Sequence, residues 1–377
     1  MSDKIIAPKG LAGVVTDETS ISKVMPEINS LVYRGYKVQD LAEECSFEEV
    51  AYLMTHSDLP NAEQLSAFLI KEKGYRNLSN TLLEVIQKFP KEAHPMDTLR
   101  TAVSFIGMED KRIWDDSPET NMDKFISLLA KIPTAIAAAY RHAKGLDFIA
   151  PDKQLSISEN FFHMCFDKVP AKEVVKAFDV SLILYAEHSF NASTFATRVI
   201  TSTTSDMYSA VVGGIGALKG PLHGGANEQV MHMLKEVGEP SKAQDWMMEA
   251  LAEKKKVMGF GHRVYRKGDS RVPTMKKYTE KMADFTGEKK WLEIANILEE
   301  TMVAQKGIHP NLDFPAGPAY YMMGFEIDMF TPIFVMSRVT GWCAHIMEQQ
   351  ANNRIIRPLS DYVGEQERAV KNISDRG

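Results

Sequence analysis

The stretch Ala171–Tyr185, AKEVVKAFDVSLILY, indicates most directly what kind of fold this chain forms. Its apolar residues recur three and four positions apart, which is the spacing of one face of an amphipathic α-helix. The same spacing recurs in Asn121–Leu129 and in Trp291–Ala304. These segments predict a chain that is built mainly from helices.

Two further helices are predicted together with their ends. Ser46 precedes an apolar run and Glu49 follows three positions later, which is the capping-box arrangement of a helix start. Val230–Val237 carries an apolar face, and Gly238 stands where it can end that helix. Alternating, strand-like patterns are confined to the first fifteen residues and Arg354–Tyr362. We therefore predict an all-α fold with minor β-structure at the termini.

Composition places the chain among ordinary globular proteins. It has 377 residues, of which 44% are hydrophobic and 25% charged, and this length suggests two or three domains. The formal net charge of −6 argues against a dedicated nucleic-acid-binding protein, which needs a basic surface. The N-terminus lacks a signal-peptide pattern, and no apolar stretch reaches the ~18 residues of a membrane span. We expect a soluble, cytoplasmic protein with neither nucleic acid nor membrane as a partner.

Motifs for metals and nucleotide cofactors are missing from the sequence. The three cysteines form no CxxC pair and the ten histidines are scattered, so we expect free thiols and no metal site. Gly214–Lys219, GIGALK, places a lysine where a dinucleotide-binding fingerprint needs its third glycine. Walker, nucleophile-elbow and HExxH motifs do not occur.

Three segments combine glycine or proline with chemically active side chains. In Lys219–Asn227, KGPLHGGAN, the following helix would place His223 at its positive end, which favours a neutral ring. A neutral histidine can donate a hydrogen bond to a developing oxyanion. A simple helix-capping role for His223 fits this segment equally well.

The other two segments suggest an anion site and a base. Lys256–Arg271 gathers His262 and several cations in a glycine-broken loop, which suits carboxylate or phosphate ligands, although a lysine run is usually a solvated helix end. Asp313, in Asn311–Gly317, could be a desolvated general base with a raised pKa. The alternative is that Asp313 accepts local backbone hydrogen bonds in a turn.

Taken in order, these segments resemble the citrate synthase family. The resemblance rests on GPLHGGANE (220–228), GFGHRVYRKGDSR (259–271), NLDFPAG (311–317), EHSFNAST (187–194), FTPIFVMSRVTGWCAHIMEQ (330–349) and NNRIIRPLSDYVG (352–364). TSISKVMPEINSLVYRGYKVQDLA (19–42) and HPMDTLRTAVS (94–104) are similar to the shorter prokaryotic members. The resemblance covers nearly the whole chain, and the ordered set is far more specific than any one fragment.

The resemblance implies an almost entirely helical homodimer with two domains per subunit. The large domain would comprise residues 1–223 and 319–377 and provide the dimer interface and oxaloacetate ligands. The small domain would comprise residues 224–318 and carry coenzyme A and two catalytic residues. The active site would lie in the cleft between them, with a glycine-rich hinge at each crossing.

The resemblance also implies three catalytic roles. Asp313 matches the base that removes a methyl proton from acetyl-CoA. His223 matches the neutral histidine that stabilises the enol or enolate. His262 matches the acid that protonates the oxaloacetate carbonyl as the C–C bond forms. Water then hydrolyses the citryl-CoA thioester.

Ligand-binding residues follow from the same matches. His188, Arg271, Arg338 and Arg357 match the carboxylate ligands, and the counterpart of Arg357 reaches across from the partner subunit. Arg76 is a weaker candidate for this pocket, and a solvated surface arginine is as compatible with its turn. Coenzyme A would lie along residues 256–260 and be bound by Lys256, Val257, Met258, Gly259 and Phe260. Arg266 and Lys267 would be its phosphate partners. Coenzyme A enters as a substrate thioester, and no metal or redox cofactor is implied.

The choice of acyl-CoA stays open at this point. Residues 206–209, 311–313, 321–324 and 329–332 look similar to 2-methylcitrate synthases, which take propionyl-CoA, whereas Phe314–Ala316 departs from their pattern. We expect activity with both acetyl-CoA and propionyl-CoA; the alternative is chiefly a 2-methylcitrate synthase of propionate catabolism. The rivals of another class are a non-catalytic helical CoA-binding or scaffold protein and a CoA-dependent hydrolase.

Overall fold

Helices form most of the regular structure in the computed structural model of this chain, which describes residues 8–262, 264–265, 268–365 and 367–376. The α-helices of these residues are α1 (Val38–Glu44), α2 (Phe47–His56), α3 (Ala62–Tyr75), α4 (Asn80–Ile86), α5 (Pro95–Glu109), α6 (Pro118–Ala143), α7 (Ile157–Phe166), α8 (Lys172–Tyr185), α9 (Ala192–Ser202), α10 (Met207–Leu218), α11 (Ala226–Val237), α12 (Pro240–Ala252), α13 (Val272–Thr286), α14 (Lys289–Lys306), α15 (Asp313–Met322) and α16 (Phe330–Ala351). Short 3₁₀ helices span Lys9–Leu11, Ile327–Met329 and Ile373–Asp375. The all-α prediction is confirmed.

A small antiparallel sheet lies near the N-terminus, with the order β1 (Ser22–Met25), β2 (Ser30–Tyr33) and β3 (Tyr36–Lys37). Its second hairpin turns through Arg34 and Gly35, whose φ angles of 47° and 92° are both positive. Such left-handed pairs match the twist of the flanking strands.

The β-structure does not lie where it was predicted among residues 8–15 and 354–362. Residues 354–362 run as a largely exposed segment without a strand, and residues 8–15 contain only a 3₁₀ turn. Residues 1–7 lie outside the described residues. The sheet instead uses residues 22–37, where two tight turns bring short strands side by side.

The predicted helices form, and their ends are as expected. The backbone N–H of Glu49 donates to Oγ of Ser46, and that of Ser46 donates to the Glu49 carboxylate, so the capping box at the start of α2 is complete. Gly238 ends α11 with a φ of 75°. The segments 121–129 and 291–304 lie within α6 and α14.

The core is organised around α16, whose residues are buried without interruption from Phe330 to Ile346. This helix contacts α6, α8, α9 and α10. Helices α11 to α15 form a second group, in which α11 and α13 contact α15 and α12 contacts α14. The two groups are not separate, because α13 also contacts α8 and α15 runs across residue 318, and the proposed boundaries at residues 224 and 318 stay a prediction.

The described residues contain neither a membrane-spanning helix nor a group of metal-binding side chains. None of their helices is both long and apolar enough to span a membrane. No three His, Cys, Asp or Glu side chains of the described residues are grouped so that they could hold a metal ion.

Candidate active site

Two buried arginines meet at the C-terminal end of α8. Nη1 of Arg271 donates to the carbonyl of Leu184 at 3.3 Å, and Nε of Arg338 donates to that of Tyr185 at 2.6 Å. The last carbonyls of a helix have no partner within the helix and carry the negative end of its dipole. The end of α8 therefore holds two guanidinium groups beside His188, which follows three residues later.

Two polar atoms at this place are buried without a partner. Nη1 of Arg338 and Nε2 of His188 make no hydrogen bond with any described residue. Leaving a buried donor unpaired costs about 1–3 kcal/mol. A ligand that carries acceptor oxygens would satisfy both groups.

His188 is held as a neutral ring. Burial lowers its pKa well below the usual value, and the charges of Arg271 and His262 act in the same direction. The ring centroids of His188 and His262 are 4.9 Å apart. The arrangement thus brings together two of the predicted site histidines.

His262 presents Nε2 as a donor. Its Nδ1 accepts hydrogen bonds from the backbone N–H groups of Val264 and Tyr265, at 3.0 and 3.2 Å. Because these groups can only donate, the neutral ring carries its proton on Nε2. Burial, followed by the charge of Arg271, lowers the pKa of His262 to about 4. The ring is therefore neutral near pH 7.

The loop that carries His262 is tied to the segment that precedes Asp313. The N–H of Gly261 donates to the carbonyl of His309, and that of Asn311 donates to the carbonyl of Gly259, both at 2.9 Å. Phe260 and Pro310 form an isolated β-bridge. These bonds fix the position of His262 relative to the start of α15.

Asp313 is the first residue of α15 and does not lie in the turn expected from its Pro/Gly neighbours. Burial raises its pKa to about 6, as predicted, while a hydrogen bond from the Tyr185 hydroxyl opposes that rise. This hydroxyl donates to Oδ1 at 2.8 Å. Because Oδ1 is engaged by a side chain, Oδ2 is the oxygen on which a proton can be received.

His223 lies in the loop between α10 and α11, and Ser193 at the start of α9 fixes its tautomer. Nε2 of His223 lies 2.8 Å from Oγ of Ser193 and accepts from the Ser193 backbone N–H at 3.3 Å. The indole N–H of Trp342 donates to the same Oγ. Since Nε2 accepts, the neutral ring carries its proton on Nδ1.

The predicted neutrality of His223 is confirmed, but its main cause differs. Burial lowers the pKa to about 3, and the charge of Arg338 adds to this effect, whereas the helix dipole was the expected cause. The N-terminus of α11 has no side-chain cap, so the helix-capping alternative for His223 is wrong.

The ring of Phe334 connects these groups. Its centroid lies 4.1 Å from that of Tyr185 and 6.3 Å from that of His223, and Cζ of Arg338 lies 4.7 Å from it. Tyr185 in turn contacts Asp313. A continuous set of contacts therefore links Asp313, Arg338 and His223, while Arg271 meets Arg338 at the end of α8 and the pair His188–His262 forms a second contact.

Two of the predicted arginine ligands are placed differently from Arg338. Arg271 is buried and pairs with both oxygens of Asp269, at 3.0 and 2.7 Å. Arg357 is exposed in the extended segment that follows α16. The charge of Arg271 is therefore already paired with that of Asp269, whereas Arg357 is exposed and makes no hydrogen bond or ion pair with the described residues of the site.

Arg76 is not part of this site. Its guanidinium is buried and donates to the carboxylate of Glu72 and to the carbonyls of Asp152 and Leu155. The prediction of an oxaloacetate ligand is corrected for this residue, and so is the alternative of a solvated surface arginine. A buried carboxylate four residues earlier explains why this arginine folds inward.

The predicted coenzyme A segment lies against the residues that lead into α15. Lys256 is exposed, Val257 is buried and Met258 is half-buried. A Cβ atom on Gly259, whose φ is 80°, would lie 2.6 Å from a methyl group of Val230, so only glycine fits there. The ring of Phe260 packs 4.5 Å from that of Phe314. Arg266 and Lys267 lie outside the described residues.

Sequence reasoning missed three residues that hold the site together. Tyr185 counted only as part of the apolar face of α8, and its contact with Asp313 spans 128 positions. Ser193 stood in the quoted segment EHSFNAST and Asp269 in GFGHRVYRKGDSR without a role. For Ser193 and Asp269, the available signal was that each is a polar residue inside a quoted motif.

The chain is similar to known proteins over nearly its whole length. The family model described as citrate synthase, C-terminal domain, matches residues 10–359. A citrate synthase of Mycolicibacterium smegmatis is 56% identical over 96% of each chain. A 2-methylcitrate synthase of Mycobacterium tuberculosis is 55% identical over 96% of this chain and 92% of that protein.

Solved structures show the same likeness. The citrate synthase of Thermotoga maritima covers 99% of this chain and 100% of its own at 38% identity, with a TM-score of 0.91. A citrate synthase of Thermoplasma acidophilum covers 98% and 99% at 34% identity, with a TM-score of 0.92. The chain therefore belongs to the citrate synthase family and is an enzyme of that family.

Proposed function

We propose that this enzyme condenses acetyl-CoA, and also propionyl-CoA, with oxaloacetate and water, releasing citrate or 2-methylcitrate and coenzyme A. The observation that carries the proposal is the pair of buried, unpartnered donors, Nη1 of Arg338 and Nε2 of His188, beside a neutral His262. The Thermoplasma acidophilum structure is described as a ternary complex with carboxymethyl coenzyme A and oxaloacetate, which supports these substrate classes.

Enolisation is the first step of the proposed reaction. Oδ2 of Asp313 removes a proton from the carbon next to the thioester carbonyl, and Nδ1–H of His223 donates to the oxygen on which charge develops. A buried carboxylate with a pKa of about 6 is a stronger base than an ordinary aspartate. One preorganised donor to such an oxyanion typically contributes about 2.7–4 kcal/mol.

Carbon–carbon bond formation is the second step. The enol carbon attacks the ketone carbon of oxaloacetate, and Nε2–H of His262 passes its proton to the ketone oxygen as the new alkoxide forms. Nε2 takes back a proton from solvent, so that the ring is neutral again at the end of the step. Arg338 and His188 bind the carboxylates, with Arg271 adding positive charge from its fixed place against Asp269. Each charged hydrogen bond contributes roughly 1.5–3 kcal/mol. Water then cleaves the thioester and frees coenzyme A as the thiol.

The coenzyme is proposed to lie along residues 256–260, between the two groups of helices. The exposed Lys256 is available to an anionic phosphate, and Phe260 offers an apolar surface. Arg266 and Lys267 stay proposed phosphate partners. None of these steps requires a metal or a redox cofactor. Each is a proton transfer, the formation of a carbon–carbon bond or the hydrolysis of a thioester, and none is an oxidation or a reduction.

The preference between the two acyl-CoA substrates is proposed as a modest difference. Relatives of nearly equal identity are named citrate synthase and 2-methylcitrate synthase. One extra methyl group in an apolar pocket changes discrimination by only ~1–3 kcal/mol. The alternative, chiefly a 2-methylcitrate synthase, is tested by the ratio of kcat/KM for propionyl-CoA and acetyl-CoA.

The decisive test of the function is the release of free thiol from acetyl-CoA and propionyl-CoA. We expect release only when oxaloacetate is present, because the enol needs an electrophile before the thioester is cleaved. The measurement is a colorimetric thiol assay with and without oxaloacetate. Release without oxaloacetate would favour a CoA-dependent hydrolase, and no release under either condition would favour a non-catalytic CoA-binding or scaffold protein.

We further propose a homodimer in which Arg357 of each subunit completes the other subunit's site. The segment after α16 is exposed at Ile355, Arg357 and Leu359, with Leu359 88% exposed in the single chain. Together with Tyr362 and Val363, Ile355 and Leu359 form a run of exposed apolar side chains along one segment, and contiguous apolar surface of this kind marks a site of contact with a partner. Arg357 lies between Ile355 and Leu359, so it would contact the partner subunit together with them.

The shared site predicts recovery of activity in mixed subunits. Arg357→Leu and Asp313→Asn subunits are each expected to be nearly inactive as homodimers, because each lacks one component of every site. Heterodimers contain one site in which both defects fall together and one that is intact, so activity should return. The measurement is thiol release after subunit exchange; exchange demonstrated by mass without recovery would contradict the donated arginine.

A further inference from the structure

We propose that the first turn of α5 positions His223 by holding the catalytic loop at both ends. Nζ of Lys219 lies 2.6 Å from Oδ2 of Asp97, and Nε2 of His94 lies 3.2 Å from Oε2 of Glu228. Residues 220–227, which include His223, lie between these two contacts. We call the Lys219–Asp97 ion pair and the His94–Glu228 hydrogen bond together the loop clamp. The inference rests on the function proposed above and assigns a role to the segment HPMD.

The α5 side of the clamp is rigid. Pro95 occupies the first helical position, and Nδ1 of His94 accepts the backbone N–H of Met96 at 3.2 Å. Because Nδ1 accepts, Nε2 carries the proton and donates to Glu228. The capping bond thus orients the ring and selects the tautomer that the clamp needs.

The other side of the clamp is tied to a third helix. Glu228 lies in the first turn of α11, and its second oxygen, Oε1, accepts a hydrogen bond from the Thr331 hydroxyl at the start of α16. The carboxylate therefore joins α5, α11 and α16. A contact that bridges three helices fixes the end of the loop against the part of the core that carries Arg338.

The loop between the contacts is compact, so its ends decide where His223 lies. The N–H groups of His223 and Gly225 both donate to the carbonyl of Gly220, at 2.9 and 3.3 Å. A Cβ atom on Gly225 would lie 2.8 Å from the carbonyl oxygen of Lys219. Such a loop moves as one piece, and a shift of about 1 Å in a catalytic group can cost as much as 100-fold in rate.

Fold stability alone does not account for the Lys219–Asp97 contact. The two side chains are 38% and 35% exposed, and Asp97 also pairs with Arg100 at 3.0 Å. Exposed ion pairs contribute little to stability. Losing Lys219 should therefore disturb the loop much more than the fold. On this basis Lys219, Asp97, His94 and Glu228 are positioning residues that act through His223.

The test removes the two contacts of the loop clamp one at a time and then both together. Lys219→Met removes one contact; His94→Asn keeps a helix-capping oxygen but is too short to reach Glu228. We expect kcat to fall about 3- to 10-fold for each variant and about 100-fold for the double variant, with the KM for oxaloacetate unchanged. Asp284→Lys, which breaks an exposed ion pair within residues 284–289, is the matched control and should keep wild-type kcat.

The same changes in a His223→Ala background separate positioning from general structural damage. If the clamp acts through His223, opening it should not lower the residual kcat further. Equal losses in both backgrounds, or wild-type kcat in Lys219→Met, would overturn the proposal. Since Lys219 is a surface residue, Lys219→Met keeps the test valid even if His94→Asn fails to fold. A wild-type enzyme without oxaloacetate-dependent thiol release would overturn the proposed function itself, and the clamp with it.

Discussion

Asp313→Asn is expected to lower kcat by about 10²- to 10⁴-fold, because the amide cannot accept the proton that enolisation releases. The variant should fold and be at least as stable as the wild type near pH 7. Burial raises the pKa of Asp313 to about 6, so the native protein must hold a buried, ionised carboxylate at that pH. The measurements are steady-state thiol release and thermal unfolding.

The matched control for this variant is Asp245→Asn, which makes the same change on the exposed face of α12. It should leave both kcat and stability unchanged. Near-wild-type turnover of a folded Asp313→Asn enzyme would contradict the proposed base.

The pH dependence follows from the same carboxylate. The base must be ionised, so activity should fall as the pH drops through about 6. Because the hydrogen bond from Tyr185 lowers the pKa of Asp313, Tyr185→Phe should move this acid limb to higher pH. An unchanged limb would show that another group controls it.

His223→Ala is expected to lower kcat by about 10²- to 10³-fold, because the enolate loses its preorganised donor. The pKa of about 3 means that the ring is already neutral throughout the working range. His223 should therefore add no titration between pH 5 and 9. The measurement is kcat as a function of pH for the wild type and the variant.

His232→Ala provides the comparison, since this histidine lies on the exposed side of α11, nine residues from His223. We expect it to behave as the wild type. Loss of activity in both variants would point to disruption of α11, whereas full activity in His223→Ala would remove the residue from the mechanism.

The helices could be predicted because their signals are local. The Ser46–Glu49 capping box and the glycine after α11 each need only a few neighbouring residues to be recognised. The strands at residues 22–37 depend on two turns with left-handed residues, one of which, Arg34, carries no local turn signal. Residues 354–362 alternate as a strand does but pair with no strand among the described residues.

The site was predictable where a motif carried the chemistry and unpredictable where distant residues supply it. His223 and Asp313 stand in glycine- and proline-broken segments, which made them visible. The Tyr185 hydroxyl is separated from Asp313 by 128 positions and resembles any aromatic residue on an apolar helix face. Arg76 shows the opposite case. Its turn suggested a ligand-binding arginine, but its side chain pairs with Glu72, which belongs to the core.

The bridge between Phe260 and Pro310 has a consequence for how the enzyme can change shape. It joins the strand-like segment of His262 to that of Asp313, so a movement of the proposed small domain against α8 and α16 would carry these two residues together. We therefore expect the distance between the proposed acid and the proposed base to be the same in open and closed forms. Changes in the proposed hinges should alter how often the enzyme is ready to react without altering that distance.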